Sequence, residues 1–190
     1  SLPYLVGWWM DPHDAAHLVE RAVDLAGPVD ILINSASAFP NDTLDNLTAE
    51  DLIRSIQVHA WAPLVLARRF VAQERAAAIV NLLDTRVIDY DRDHVSYHLG
   101  KRTLHALTSM MALEWAPRVR VNAIAPGLIL PPEGKNEAYL EQLAHTNPLE
   151  AYGSPAAIAS ALLYLLRSDF VTGQVLFVDG GRHLEARVYD

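Results

Sequence analysis

Short β-branched apolar runs alternate along this chain with longer stretches of helical periodicity, and that alternation limits its possible folds more than any other feature. Residues 12–26 carry Ala15, Ala16, Leu18, Val19, Ala22, Val23 and Leu25 at amphipathic spacing and are closed by Gly27-Pro28. Val29-Asp30-Ile31-Leu32-Ile33-Asn34 reads as a buried parallel strand, as do Ala78 to Leu83, Val119 to Ile124 and Gln174 to Val178. Thr48, with Asp51 completing a capping-box start, opens a helix expected to run to about Gln73. Val95 to Trp115 is helical by pattern and stopped by Ala116-Pro117. A polar stretch from Pro131 to Asn147 carries a small helix, and Pro155 to Leu166 is a further helix with proline in its first turn. Such alternation predicts βαβ units, a parallel sheet and a doubly wound, Rossmann-like α/β fold, read as a single domain over residues 1–190. Ligands of such sheets sit beyond the carboxyl ends of the strands, where Asn34, Asp84 and Pro126-Gly127 fall.

Composition narrows the functional classes. A net charge of −8 argues against nucleic acid and anionic membrane as partners, because both reward basic patches. The absence of cysteine excludes disulfides and thiolate chemistry and suits a cytoplasmic setting. No apolar run approaches the roughly 18 residues a membrane span needs. Ser1 to Val6 lack the basic region of a signal peptide. The expected partner is therefore a small molecule.

The motif that carries chemistry is Tyr97-His98-Leu99-Gly100-Lys101, which sets a phenol and an ammonium one turn apart on one helix face. A neighbouring ammonium stabilises phenolate, so the pair is expected to lower the tyrosine pKa and to serve as a proton donor. Alone, the pair reads equally as an amphipathic surface helix. It follows a strand ending in Asp84, an earlier strand ending in Asn34-Ser35-Ala36-Ser37, and precedes Asn122-Ala123-Ile124-Ala125-Pro126-Gly127-Leu128-Ile129. Val171-Thr172-Gly173-Gln174 and Val178-Asp179-Gly180-Gly181 come after. In this order and spacing, across essentially the whole chain, these motifs resemble the short-chain dehydrogenase/reductase family. The resemblance implies that Tyr97 donates a proton and that Lys101 holds the nicotinamide ribose and tunes the phenol. It implies that Asn34, Ala36 and Ser37 line an NADP(H) cofactor, and that Pro126, Gly127 and Ile129 meet its carboxamide. Gly127 carries the further expectation that a backbone comes close to a ligand there.

Asp84 stands where the family usually has Ser, and His59 stands where it usually has Asn. The first departure, with Phe39 after the Asn34-Ser35-Ala36-Ser37 turn, is similar to the pteridine reductase branch, and His59 with the ending Asp179-Gly180-Gly181-Arg182-His183-Leu184 is similar to its dihydromonapterin reductases. That likeness implies a dihydropterin-like substrate stacked on Phe39, with Asp84 assisting Tyr97. A flat, nitrogen-rich ring suits an aromatic face, and a carboxyl group can serve ring nitrogens. NADP rather than NAD rests on the resemblance alone. The competing readings are a general carbonyl reductase of the same family and a non-catalytic oligomeric scaffold. Asp84 could equally cap the following loop, Phe39 could be a core or lid aromatic, and His59 could be structural.

The family's opening strand and glycine-rich phosphate turn have no counterpart among the nine glycines. By resemblance, Tyr4-Leu5-Val6-Gly7-Trp8-Trp9 is the family's third strand. The expectation is an N-terminal truncation by about two strand-helix units, roughly 50 residues. The sheet edge this uncovers would favour a homo-oligomer, a dimer or tetramer. His13 and His17 share a helix face without a third ligand, so no metal is expected. No G-x-S-x-G elbow is present. Asp89, Asp91 and Asp93 read as a solvated, substrate-facing loop, and Trp8, Trp9, Trp61 and Trp115 as packing residues.

Overall fold

A computed structural model describes residues 12–90, 92–132 and 134–184, with the side chains of residues 12–14 and 16 outside that description. The expected strand from Tyr4 to Trp9, together with Asp11, His13 and Asp91, therefore lies outside the described side chains. In chain order the elements are α1 (Pro12–Ala26), β1 (Ile31–Asn34), α2 (Ala49–Ile56), a π turn (Gln57–Trp61) and α3 (Ala62–Val71). They continue with β2 (Ala78–Leu82), α4 (Val95–Trp115), β3 (Arg120–Pro126), α5 (Glu137–Leu143), α6 (Pro155–Arg167) and β4 (Val175–Val178). The four strands are parallel in the order β1-β2-β3-β4, with Asn34 beside Asn81 and Asn81 beside Ala123.

The strands are continuous apolar runs because both faces of the sheet are covered. On one face Ile79 and Val121 pack with Ala15 and Val19 of α1, Leu66 and Phe70 of α3, and Met111 of α4. On the other, Val80 and Ile124 meet Ala161 and Leu165 of α6. Adjacent strand residues thus serve opposite layers, which is the doubly wound arrangement. At the β1 edge, Ile31 and Ile33 are 40% and 44% exposed. Among the described residues, no helix is long and apolar enough to cross a membrane.

Local chemistry sets the helix ends. The Thr48 side chain accepts from the Asp51 amide and the Asp51 carboxylate accepts from the Thr48 amide, so the capping box is formed. The helix expected from there to Gln73 is interrupted: Gln57–Trp61 widens into a π turn whose far end is bonded from the Ala62 amide to the Gln57 carbonyl. Nothing in the hydrophobic period marks that widening. At the start of α4, His94 adopts φ 58° and offers no side-chain cap. Asp42, from the loop after β1, supplies the cap instead: its carboxylate accepts from the Ser96 amide at 2.9 Å and from the Ser96 hydroxyl. A carboxylate at a helix N-terminus also meets the positive end of the helix dipole.

Phe70 is wholly buried where α1, α3 and the sheet meet. Phe70→Ala is expected to cost about 3–5 kcal/mol, read as a lowered midpoint in urea unfolding with little change in slope.

Candidate active site

Three strand tips and the first turns of α4 carry the expected site residues. β2 ends two residues before Asp84, whose backbone is extended and whose side chain caps a short 3-10 turn, Thr85–Val87. One carboxylate oxygen, Oδ1, accepts from the Arg86 amide at 2.8 Å. The other, Oδ2, accepts from the Tyr97 hydroxyl at 2.9 Å. Loop cap and tyrosine partner are thus two oxygens of one group.

Lys101 lies one turn further along α4, 3% exposed, and its Nζ donates to the Leu82 carbonyl at 2.7 Å. Nζ stands 5.8 Å from the Tyr97 ring centroid. Burial, partly opposed by the charge of Asp84, brings its pKa down to about 8. The expected lowering of the tyrosine pKa is corrected here. Burial first, then the charge and hydrogen bond of Asp84, hold the Tyr97 phenol well above its ordinary range. The ammonium faces the Leu82 carbonyl, whereas the carboxylate touches the phenol oxygen. Tyr97 therefore keeps its proton at neutral pH.

Phe39 faces this pair. Its ring meets Tyr97 edge-on at 4.7 Å between centroids, with planes at 88°. One face is taken by His94, stacked at 3.7 Å and 19°, and the ring is 52% exposed. Half of the residue stays exposed, and that surface is what a ligand could reach. Tyr97, Lys101, Asp84 and Phe39 are thus brought together above the strand tips.

The remaining expected contacts are distributed differently. The Asn34 amide nitrogen donates to Asn81 Oδ1 at 2.8 Å, and Asn81 donates on to Thr108 of α4 at 2.9 Å. Asn34 Oδ1 is buried with no hydrogen-bond partner among the described residues. Ser37 turns its hydroxyl to His59 Nε2 at 3.1 Å. Ala36 is exposed on the same loop. Pro126 closes β3 and accepts a place beside Val178 of β4. A Cβ on Gly127 would stand 2.7 Å from the Asp179 Cα, so the close approach expected at Gly127 is made by the chain's own backbone. Ile129 extends over Gly153, where a Cβ would meet its Cδ1 at 2.7 Å.

Asp89 also departs from expectation. One of its oxygens is buried without a partner among the described residues, and burial raises its pKa against the pull of Arg86 and Arg182. Its neighbour Tyr90 is held under the Arg102 guanidinium at 4.0 Å. This loop is partly folded inward rather than solvated, because Arg102 of α4 also binds the Asp89 carbonyl. Of the tryptophans, Trp115 packs on the core and Trp61 is 46% exposed. His17 pairs with Glu20, and no metal-holding group of His, Cys, Asp or Glu occurs among the described residues.

Sequence reasoning quoted Asp179 only as part of a motif and missed its work. The side chain accepts from the Thr85 hydroxyl, from the Gly181 amide at 3.0 Å and from the His183 amide at 2.8 Å. Burial raises its pKa, but the hydrogen bonds from Thr85, His183 and Gly181 outweigh it and leave the net shift downward. With Gly127 packed on its backbone, Asp179 fastens the β2, β3 and β4 tips to each other. Asp42 was missed entirely, since a loop aspartate that caps a helix many residues away leaves no local pattern.

The donors present suit the nicotinamide-ribose half of a dinucleotide. Lys101 has three N–H groups and spends one on Leu82, and Asn34 offers an unspent acceptor at the β1 tip. A glycine-rich turn opening a helix is not among the described residues.

Comparison with known proteins agrees with this architecture. A family model described as enoyl-(acyl carrier protein) reductase matches residues 10–183. Carbonyl reductase family member 4 of Danio rerio is 32% identical over 161 residues, covering 83% of this chain and 68% of that protein. Dihydromonapterin reductase of Klebsiella pneumoniae is 35% identical over 136 residues, covering 69% of this chain and 57% of that protein. The crystal structure of FolM alternative dihydrofolate reductase 1 from Brucella suis, in complex with NADP, superposes with a TM-score of 0.86 at 34% identity. That likeness covers 92% of this chain and 72% of the other.

Lys101 gives a signed pH test. Its folded pKa of about 8 lies below the ordinary 10.5, so the unfolded chain binds more protons at this site between those values. The site's penalty is full below the folded pKa and is relieved as pH rises through it. The free energy of unfolding of the parent is expected to gain between pH 8 and pH 10 relative to Lys101→Met, measured by urea titration at each pH. Parallel curves would place the ammonium in a wetter site.

Proposed function

The chain belongs to the short-chain dehydrogenase/reductase family, a family of oxidoreductases, and from that premise we propose that it reduces a dihydropterin-like substrate with NADPH. The observation that carries the reading is the 2.9 Å bond from the Tyr97 hydroxyl to Asp84, with the half-exposed Phe39 beside it. A carboxylate at this place, rather than a simple hydroxyl, suits a substrate whose reducible bond ends in a ring nitrogen.

NADPH, when bound, supplies the hydride. Lys101, Asn34 and the 36–37 turn would hold its nicotinamide ribose, with Pro126, Gly127 and Ile129 along the carboxamide. Tyr97 holds the proton that the reduced nitrogen takes up, kept on oxygen by burial and by Asp84. Asp84 aims the hydroxyl, because its other oxygen is tied to the Arg86 amide. Phe39 stacks on the flat ring. The relatives named dihydromonapterin reductase and alternative dihydrofolate reductase support a pterin-type substrate. A homo-oligomer with a cytoplasmic setting completes the reading.

Tyr97→Phe is expected to lower kcat about 100-fold or more with dihydromonapterin, while NADPH affinity followed by nicotinamide fluorescence stays within about two-fold. Phe39→Ala is expected to raise KM for the pterin about ten-fold. A preference of the parent for simple ketones would replace the pterin by a general carbonyl substrate. Absence of NADPH binding up to millimolar concentration would overturn reductase activity for this chain.

A further inference from the structure

His59 is wholly buried in the π turn, and the mechanism above makes no use of it. Its two ring nitrogens are both committed to main chain. Nδ1 lies 2.9 Å from the Ser55 carbonyl, which can only accept, so Nδ1 carries the hydrogen. Nε2 accepts from the Ala38 amide at 3.1 Å, and the Ser37 hydroxyl stands at the same distance. The geometry thus selects one neutral tautomer, and a second proton would set Nε2–H against the Ala38 N–H. Burial, and secondarily the Lys101 charge, agree by lowering the imidazole pKa to about 4.

The connection continues past the ring. The Ser55 hydroxyl donates to the Ser96 carbonyl at 2.7 Å, and Ser96 in turn donates to Asp42. One buried polar path therefore runs from the 37–38 loop through His59 and Ser55 to the residue before Tyr97, and returns to the same loop at Asp42. Gly100 permits it: a Cβ there would come within 2.8 Å of both His59 Nδ1 and Ser55 Oγ. His59 touches Tyr97 only as an edge-on ring, 5.3 Å between centroids. No lone pair or hydrogen remains on His59 for passing protons to the phenol.

We propose that His59 is a positioning residue that clamps the 37–38 loop so that the next residue, the half-exposed Phe39, is held beside Tyr97, making His59 a determinant of preference for flat heteroaromatic substrates. The consequence for substrate choice rests on the reading of the Tyr97 cleft as catalytic; the clamp itself does not. His59→Phe removes both bonds and keeps a ring in place. His59→Gln retains a side-chain carbonyl able to accept from the Ala38 amide.

Hydrogen exchange by mass spectrometry on the full chain reads the clamp without turnover. Residues 35–40 are expected to exchange faster in His59→Phe and near the parent rate in His59→Gln. Parent-like protection of this segment in His59→Phe overturns the proposal. Should His59→Phe fail to fold, His59→Asn, too short to reach the Ala38 amide, replaces it in the same comparison. In steady state with NADPH, the clamp-deficient variant is expected to raise KM for dihydrobiopterin about ten-fold and for cyclohexanone less than about two-fold, with kcat within about three-fold. A fall in kcat at unchanged KM would make His59 a proton-transfer group and overturn the clamp as its role. A parent chain without turnover would strike the reductase reading alone, and the exchange comparison would still decide the clamp.

Discussion

The bond between the Tyr97 hydroxyl and Asp84 joins the β2 tip to the helix that follows it, and much of the site follows from how its two ends are held. Asp84 is extended backbone at the end of β2, anchored through its second oxygen to the turn that follows. Tyr97 belongs to the first turn of α4, whose own start is capped from another loop by Asp42. Were either end free, the phenol would have no fixed direction. With both tied, the buried hydroxyl keeps its proton and points it at Asp84, and the phenol oxygen has a fixed place.

The buried charges nearby follow the same constraint. Lys101 is charged inside the protein at a cost that its bond to the Leu82 carbonyl and its proximity to Asp84 only partly offset, hence its depressed pKa. His59 avoids that cost by staying neutral and spending both nitrogens on backbone groups. Asp179 takes the opposite course, remaining ionised behind several donors drawn from the β2 and β4 tips. Polar groups at the carboxyl end of the sheet are thus largely satisfied by each other. The Asn34 oxygen, which has no partner among the described residues, stands at the tip of β1 on the cleft side of that arrangement.

Much of the architecture was legible because its causes are local. Strands buried on both faces must be apolar at every position, and helices covering them must be apolar on one, so periodicity alone located β1 to β4 and the helices between them. The Thr48–Asp51 capping box could be read directly, since its partners are neighbours in sequence. Tyr97 and Lys101 were visible for the same reason, one turn apart on a helix.

What the sequence by itself determined is the fold class, the order of the elements and the chemical types brought to the strand tips. Only tertiary structure decided what those types do. It turned the expected Tyr97 shift upward, first because packing buried the phenol and then because it set a carboxylate rather than an ammonium against the phenol oxygen. It made Gly127 a contact for Asp179, and it drew Asp89 inward under Arg102. It also recruited Asp42 and His59 across long stretches of chain to hold one loop against α4. Side-chain period reports burial along an element, whereas pKa, tautomer and hydrogen-bond partner depend on distances between elements, and those exist only once the layers have packed.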